Sequence, residues 1–137
     1  LRDGFLKWWN ENRRWRNEPF EIIPQTIPAQ AAIHEIGCVV KIENMFSVKI
    51  DEQNKRLIYP YFSEIPAISD EAARVGIAII SSAMPQFKSD DIRILDIRRG
   101  TAFGTIDAPL RGDERQIFIS LYKLALADWE KIRRELE

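Results

Sequence analysis

The chain of 137 residues is 45% hydrophobic and 30% charged, a composition with which a single domain can bury its own core. Lysine and arginine together number 20, and aspartate and glutamate number 21. This balance excludes an overall positive field that would attract nucleic acid or an anionic membrane. The single cysteine excludes an internal disulfide, and residues 1–15 carry no continuous apolar signal region, so we expect a cytoplasmic protein that does not enter a membrane.

The first predicted element is a helix over residues 1–16, which is rich in tryptophan and basic residues. Large apolar side chains such as Phe5 recur near one side at helical spacing, and the arginines give the segment a local positive charge. Because tryptophan and arginine are enriched among the residues that dominate protein–protein binding, this helix is the predicted contact surface. Its predicted binding residues are Trp8, Trp9, Arg13, Arg14, Trp15 and Arg16.

Residues 17–28 predict an extended connector that runs across the surface. Pro19, Pro24 and Pro28 restrict its backbone and remove hydrogen-bond donors, which disfavours both a helix and a central strand. The remainder, residues 29–137, is predicted to form the core of the same single domain.

Three short runs rich in β-forming residues lie between residues 36 and 62. The runs IGCVVKI, MFSVKID and RLIYPYF predict the three strands of an antiparallel meander. Only Glu43 and Asn44 separate the first two runs, which favours a tight hairpin at that point.

Residues 69–84 predict a buried central helix. Ser69 can cap its first turn through the side-chain oxygen, and Pro85 ends it. Apolar residues surround this helix instead of following one stripe, which is typical of a helix buried on more than one side. It is too short to span a bilayer, which takes about 20 apolar residues.

The second half of the chain predicts two more strands and a long final helix. The strands cover residues 91–98 and 101–107 and meet in a hairpin at Gly100, which tolerates a positive φ. The helix covers residues 113–136 and has an apolar face at helical spacing. That face consists of Ile117, Phe118, Leu121, Tyr122, Ala125, Trp129, Ile132 and Leu136.

The order α-βββ-α-ββ-α predicts an α+β domain, with an antiparallel sheet of about five strands and the helices packed on one face. The chain contains no internal repeat and no low-complexity run. For residues 29–35, the sequence does not decide whether a short helix precedes the first strand.

The sequence contains no recognisable catalytic, metal or cofactor motif. His34 and Cys38 are four residues apart, but two ligands do not make a zinc site, and the chain has no further histidine or cysteine. Asp96 interrupts an apolar strand, and cross-strand ion pairing explains it more simply than catalysis. The turn at Gly100 follows two arginines and resembles a small anion-binding turn, but no nucleotide-binding glycine motif accompanies it.

The resulting functional hypothesis is a non-enzymatic protein-binding or assembly domain that self-associates through the first helix. It predicts no catalytic residue, no metal ligand, no cofactor and no membrane partner. One alternative is a nucleic-acid-binding module in which the same tryptophans stack on bases while the arginines hold phosphates. A second alternative is a metal-dependent hydrolase or nuclease that uses Asp96 and neighbouring acids.

Overall fold

The structure is a computed structural model that describes residues 2–8 and 21–137, with Pro24 and Gln25 described by their backbone alone. It confirms the α+β class, and the described residues form a curled and mostly antiparallel sheet and three α-helices. The five strands follow one another across the sheet in sequence order. In chain order the elements are α1 (Arg2–Lys7), β1 (Glu21–Ile33), β2 (Cys38–Lys49), β3 (Lys55–Tyr61), α2 (Asp70–Ala83), β4 (Ile92–Asp96), β5 (Thr101–Phe103) and α3 (Glu114–Leu136).

Residues 21–28 of the predicted surface connector belong instead to β1, and residues 17–20 lie outside the described residues. Residues 21–33 pair with β2 in antiparallel register from Glu21 opposite Lys49 to Ile33 opposite Cys38. Proline is compatible with a strand at the edge of a sheet, where one side of the backbone makes no ladder bonds. Since β1 is an edge strand and its register shifts between Ile23 and Ala29, its prolines do not interrupt a central ladder.

Strand β2 unites two of the runs that predicted separate strands. No hairpin forms at Glu43 and Asn44, because the chain continues along β1 as a single strand with a bulge. Three steps along β2, from Ile42 to Met45, match two steps along β1, and Asn44 takes up the extra residue at φ 65°. Asparagine enters this left-handed region more readily than most residues, so the signal that predicted a turn marks a bulge here.

Strands β3 and β4 are parallel, which differs from the predicted antiparallel sheet. Leu57 pairs with Ile92 and Tyr61 with Asp96. The chain leaves the end of β3, returns through α2 and enters β4 in the same direction, and a helical crossover is the usual connection between parallel neighbours.

Helix α2 begins and ends close to the limits that the sequence predicts. The hydroxyl oxygen of Ser69 accepts a hydrogen bond of 3.1 Å from the amide of Ala72, and the helix ends before Pro85. Its buried side chains, such as Ile77 and Ile80, pack against β1 and β4. None of the helices in the described ranges is both long and apolar enough to cross a membrane.

The sheet carries an apolar cluster on each face, so the expectation that all helices pack on one face is not confirmed. One face packs against α2 through residues such as Leu57 and Ile94. The other carries a smaller cluster in which Trp8, at the end of α1, packs with Ile58 and Leu95. Strands β3 and β4 therefore alternate between two apolar clusters, as strands buried on both faces do.

Helix α1 meets the turn between β4 and β5 through two glycines. A Cβ atom on Gly4 would lie 1.7 Å from the carbonyl oxygen of Ile97, and one on Gly100 would lie 2.5 Å from the carbonyl oxygen of Gly4. Gly100 also has φ 67°, which disfavours any other residue. This backbone-to-backbone contact lets Trp8 reach the sheet.

We predict that Gly4→Ala separates α1 from this turn, because the added methyl group would overlap backbone atoms that cannot rotate away. We expect the free energy of unfolding to fall by about 1–3 kcal/mol, the usual cost of overpacking. Chemical denaturation measures it, with Asp3→Ala on the exposed side of the same helix as the control. Equal stability of the two variants would contradict the close contact.

Candidate functional site

The start of α3 is tied to α2 by buried charges. The guanidinium Nη1 of Arg74 lies 2.6 Å from Oδ1 of Asp113 and 3.1 Å from Oε1 of Glu114. The Glu114 carboxylate also accepts hydrogen bonds from the backbone amides of Arg111 and Gly112. Arg74 and Glu114 are both buried, so their pairing fixes the position at which the helix begins.

These bonds shift the pKa of both partners. Burial alone would raise the pKa of Glu114, but the amides of Arg111 and Gly112 and the guanidinium of Arg74 outweigh it and lower that pKa below its usual value. The hydrogen bond with Asp113 raises the pKa of Arg74 despite burial. Both groups therefore stay charged at neutral pH.

A second ion pair holds the first turns of α3 against the β1–β2 connection. Arg115 lies 3.0 Å from Oε2 of Glu35, and its hydrogen bond lowers the pKa of that carboxyl group. Ile119 is the last fully buried side chain of the helix. The helix is thus anchored by its first two turns.

Beyond Ile119 the helix leaves the domain with its apolar residues exposed. Trp129 is 58% exposed, Ile132 55% and Leu136 84%. Every residue from Lys123 onward is exposed, and only Tyr122 is half-buried among the residues after Ile119. The apolar face that the sequence predicts as a core face therefore has two parts, of which the first packs against the domain and the second meets solvent.

The exposed part follows a heptad repeat. Starting at Phe118, apolar side chains recur at alternating intervals of four and three residues. The first two of them are in contact, because the ring centres of Phe118 and Tyr122 are 6.0 Å apart. This spacing gives the a and d positions of a coiled coil. We call these residues the α3 stripe, and in heptad positions d-a-d-a-d-a they are Phe118, Tyr122, Ala125, Trp129, Ile132 and Leu136.

Opposite charges flank the α3 stripe on its two sides. Asp128 and Glu135 occupy g positions, and Arg133 occupies an e position. The guanidinium carbon of Arg133 lies 5.2 Å from the ring centre of Trp129, which holds this charge at the edge of the stripe. A partner helix laid on the stripe would meet acidic groups on one side and a basic group on the other.

A second apolar surface lies between α2 and the face of the sheet that packs against it. It is a groove of about 610 Å³ that is open to solvent, within the size range of small-molecule sites. Tyr59 and Tyr61 line one wall, and Ala72 and Gly76 of α2 line the other. Apolar residues make up most of its lining, so it can accept an apolar chain or ring.

The predicted binding residues of the first helix are only partly described. Trp8 is 2% exposed and packs beneath the sheet with Phe5, whose ring centre is 5.9 Å away. Trp9, Trp15 and the arginines between residues 13 and 16 lie outside the described residues. The predicted contact surface at these positions stays a prediction, and Trp8 itself belongs to the core.

The charged residues around Gly100 hold loops together. Asp96 is 1% exposed and accepts a 2.9 Å bond from Arg99. Arg99 also donates to the carbonyl oxygens of Ser63 and Glu64, and Arg98 donates to that of Phe62. Both guanidinium groups of the predicted anion-binding turn therefore bind the loop that follows β3.

His34 and Cys38 flank the turn between β1 and β2. His34 is exposed, and Cys38 is a half-buried free thiol at the start of β2. Within residues 2–8 and 21–137, no group of three or more histidine, cysteine or acidic side chains could hold a metal ion.

The sequence predicts that the residues of the α3 stripe belong to the apolar face of a helix packed on the sheet, and it predicts the contact surface in the first helix. The alternating spacing of four and three residues after Phe118 indicates a heptad repeat, which the sequence alone contains. A heptad repeat alone cannot show which of its turns the domain covers, and that distinction required the structure.

The chain matches no protein-family model, no curated protein and no solved structure.

We predict an acid-dependent loss of stability that originates at Glu114. Its lowered pKa means that the ionised carboxylate stabilises the folded state fully at a pH above the ordinary pKa of an unfolded glutamate, and that this stability is lost as the pH falls through the lower pKa of the folded state. Glu114→Gln should lower the free energy of unfolding at pH 7 by about 1.5–3 kcal/mol, the range for hydrogen bonds to charged groups.

Urea denaturation between pH 7 and pH 2 measures both effects, and the difference between parent and variant should narrow in acid. Glu130→Gln, on the exposed part of α3, should behave as the parent does. A difference that stays constant across this pH range would contradict the role of the ionised Glu114.

Proposed function

We propose that this protein is a non-enzymatic assembly domain that associates with a second copy of itself through the exposed part of α3. One observation carries the proposal, namely the α3 stripe beyond Ile119, where large apolar side chains such as Trp129 and Ile132 stand exposed in a heptad repeat. Contiguous apolar patches on a folded protein mark sites of interaction, whereas apolar residues exposed singly need no explanation.

The energetics of an isolated helix support the proposal. Fewer than about 12–15 helical residues are marginally stable in water without packing. Every residue of α3 after Tyr122 is exposed, so packing within its own domain contributes little to the helicity of these turns. Association would bury the stripe and stabilise these turns together.

The partner is a second copy because the stripe is complementary to itself. An a/d seam packs against another a/d seam, and its flanking positions carry charges of both signs, at Asp128 and Arg133. From Tyr122 to Leu136 the stripe is roughly 21 Å long at 1.5 Å per residue. The population of a dimer held by this seam depends on protein concentration.

The two alternative functions have less support. Asp96, which a hydrolase would need as a metal ligand or base, is buried and bonded to Arg99. The nucleic-acid hypothesis depends mainly on residues 9–16, which lie outside the described residues. A single-stranded oligonucleotide added to the association experiment tests it, since salt would release a complex held by phosphate contacts.

We predict that Ile132→Gln weakens self-association. The substitution places a polar amide in the centre of the stripe without changing charge, and removes an apolar contact from each copy. Sedimentation equilibrium over a wide concentration range should give a dissociation constant at least roughly tenfold higher than for the parent, which corresponds to about 1.4 kcal/mol.

Leu124→Gln is the matched control, because Leu124 is 64% exposed on the same helix but lies outside the heptad seam. It should leave the dissociation constant unchanged. A parent that stays monomeric at high concentration would refute the proposed function, and so would equal weakening by Leu124→Gln.

A further inference from the structure

Resting on the proposed self-association, we infer that the two α3 helices pair in parallel and in register as a two-stranded coiled coil, with Asp128 of each copy beside Arg133 of the other. The inference comes from the residues at the edges of the α3 stripe. In such a pair the e and g positions set the partner and the orientation.

In a parallel pair, each g residue faces the e residue that lies five positions later on the other helix. Leu121 is then opposite Leu126, and Asp128 is opposite Arg133. The first pair is apolar on both sides, with side chains that are 56% and 43% exposed in the single chain, and the second joins opposite charges. Twofold symmetry produces each contact twice.

An antiparallel pair would place like charges together. In that arrangement g positions face g positions, so the carboxylate of Asp128 would lie near Asp128 or Glu135 of the second copy. Like charges held at this distance repel. The charge pattern of α3 therefore selects the parallel orientation.

The a and d residues fit the same arrangement. Trp129 at an a position is the largest side chain of the stripe, and Ala125 at the preceding d position is the smallest. A knob at an a position enters a hole formed by four residues of the facing helix. The in-register hole for Trp129 includes Ala125 of the second copy, which leaves room for an indole ring.

Charge reversal tests the pairing in the chain of 137 residues. Asp128→Arg and Arg133→Asp each convert two attractive pairs per dimer into two repulsive ones, and each should weaken the dimer by roughly tenfold. The double variant exchanges the charges and should recover most of the parent's affinity. Glu130→Arg and Arg134→Asp make the same charge changes away from the seam and should have little effect, while circular dichroism confirms that every variant keeps its helix content.

Cross-linking tests the orientation. In a Cys38→Ser background, Leu136→Cys places a thiol at the last a position, where parallel helices bring the two copies together. In antiparallel pairs the two thiols would be more than roughly 15 Å apart. We expect oxidation of the Leu136→Cys variant to give a disulfide-linked dimer. Adding Ile132→Gln should reduce the yield of this dimer. Lys123→Cys, whose thiol lies outside the seam, should give no such dimer.

The outcomes separate this inference from the function on which it rests. If Ile132→Gln weakens the dimer but neither charge reversal does, and Leu136→Cys cross-links no better than Lys123→Cys, then self-association through α3 stands and the parallel coiled coil is wrong. If Ile132→Gln has no effect on a dimer that does form, the surface itself is wrong and both conclusions fail.

Discussion

The buried pairing of Arg74 with Glu114 decides where the longest helix of the protein begins and in which direction it leaves the domain. Arg74 belongs to α2, which packs on the sheet, so this pairing fixes the first turn of α3 relative to the core. A buried ion pair often contributes little net stability, because the cost of removing both charges from water offsets their attraction. Its effect here is to fix position. The backbone amides of Arg111 and Gly112 also donate hydrogen bonds to the Glu114 carboxylate, and together with Arg74 they fix the residue at which the helix begins.

An anchor at one end of a helix leaves the other end to be stabilised by something else. Burial of α3 side chains ceases after Ile119, but the apolar spacing that began at Phe118 continues to Leu136. The same stripe thus contacts the domain at its first turns and solvent at its later turns. A helix that needed only to cover its own core would have polar residues at every later position of that spacing.

Much of the fold follows from the sequence where a local signal has one meaning. Ser69 and Pro85 mark the limits of α2. A capping side chain and a proline each act on the backbone of the neighbouring turn, so their effect does not depend on the rest of the fold. The signals failed where tertiary context decides between two meanings. Pro24 and Pro28 are compatible with a surface connector or with an edge strand, and only the pairing with β2 distinguishes them. Asn44 is compatible with a hairpin turn or with a bulge, and the long partner strand selects the bulge.

The choice of functional surface depended on the same kind of context. Trp8 and Trp129 are indistinguishable by composition, since each is a tryptophan near basic residues in a predicted helix. The glycine contact at Gly4 brings Trp8 under the sheet, whereas the anchor at Glu114 carries Trp129 away from it. Because every residue of α3 from Lys123 onward is exposed, the helicity of these turns and the proposed association are thermodynamically linked. Each additional copy bound should stabilise the turns that bind it, so local order at the end of α3 would rise with protein concentration while the anchored core stays unchanged.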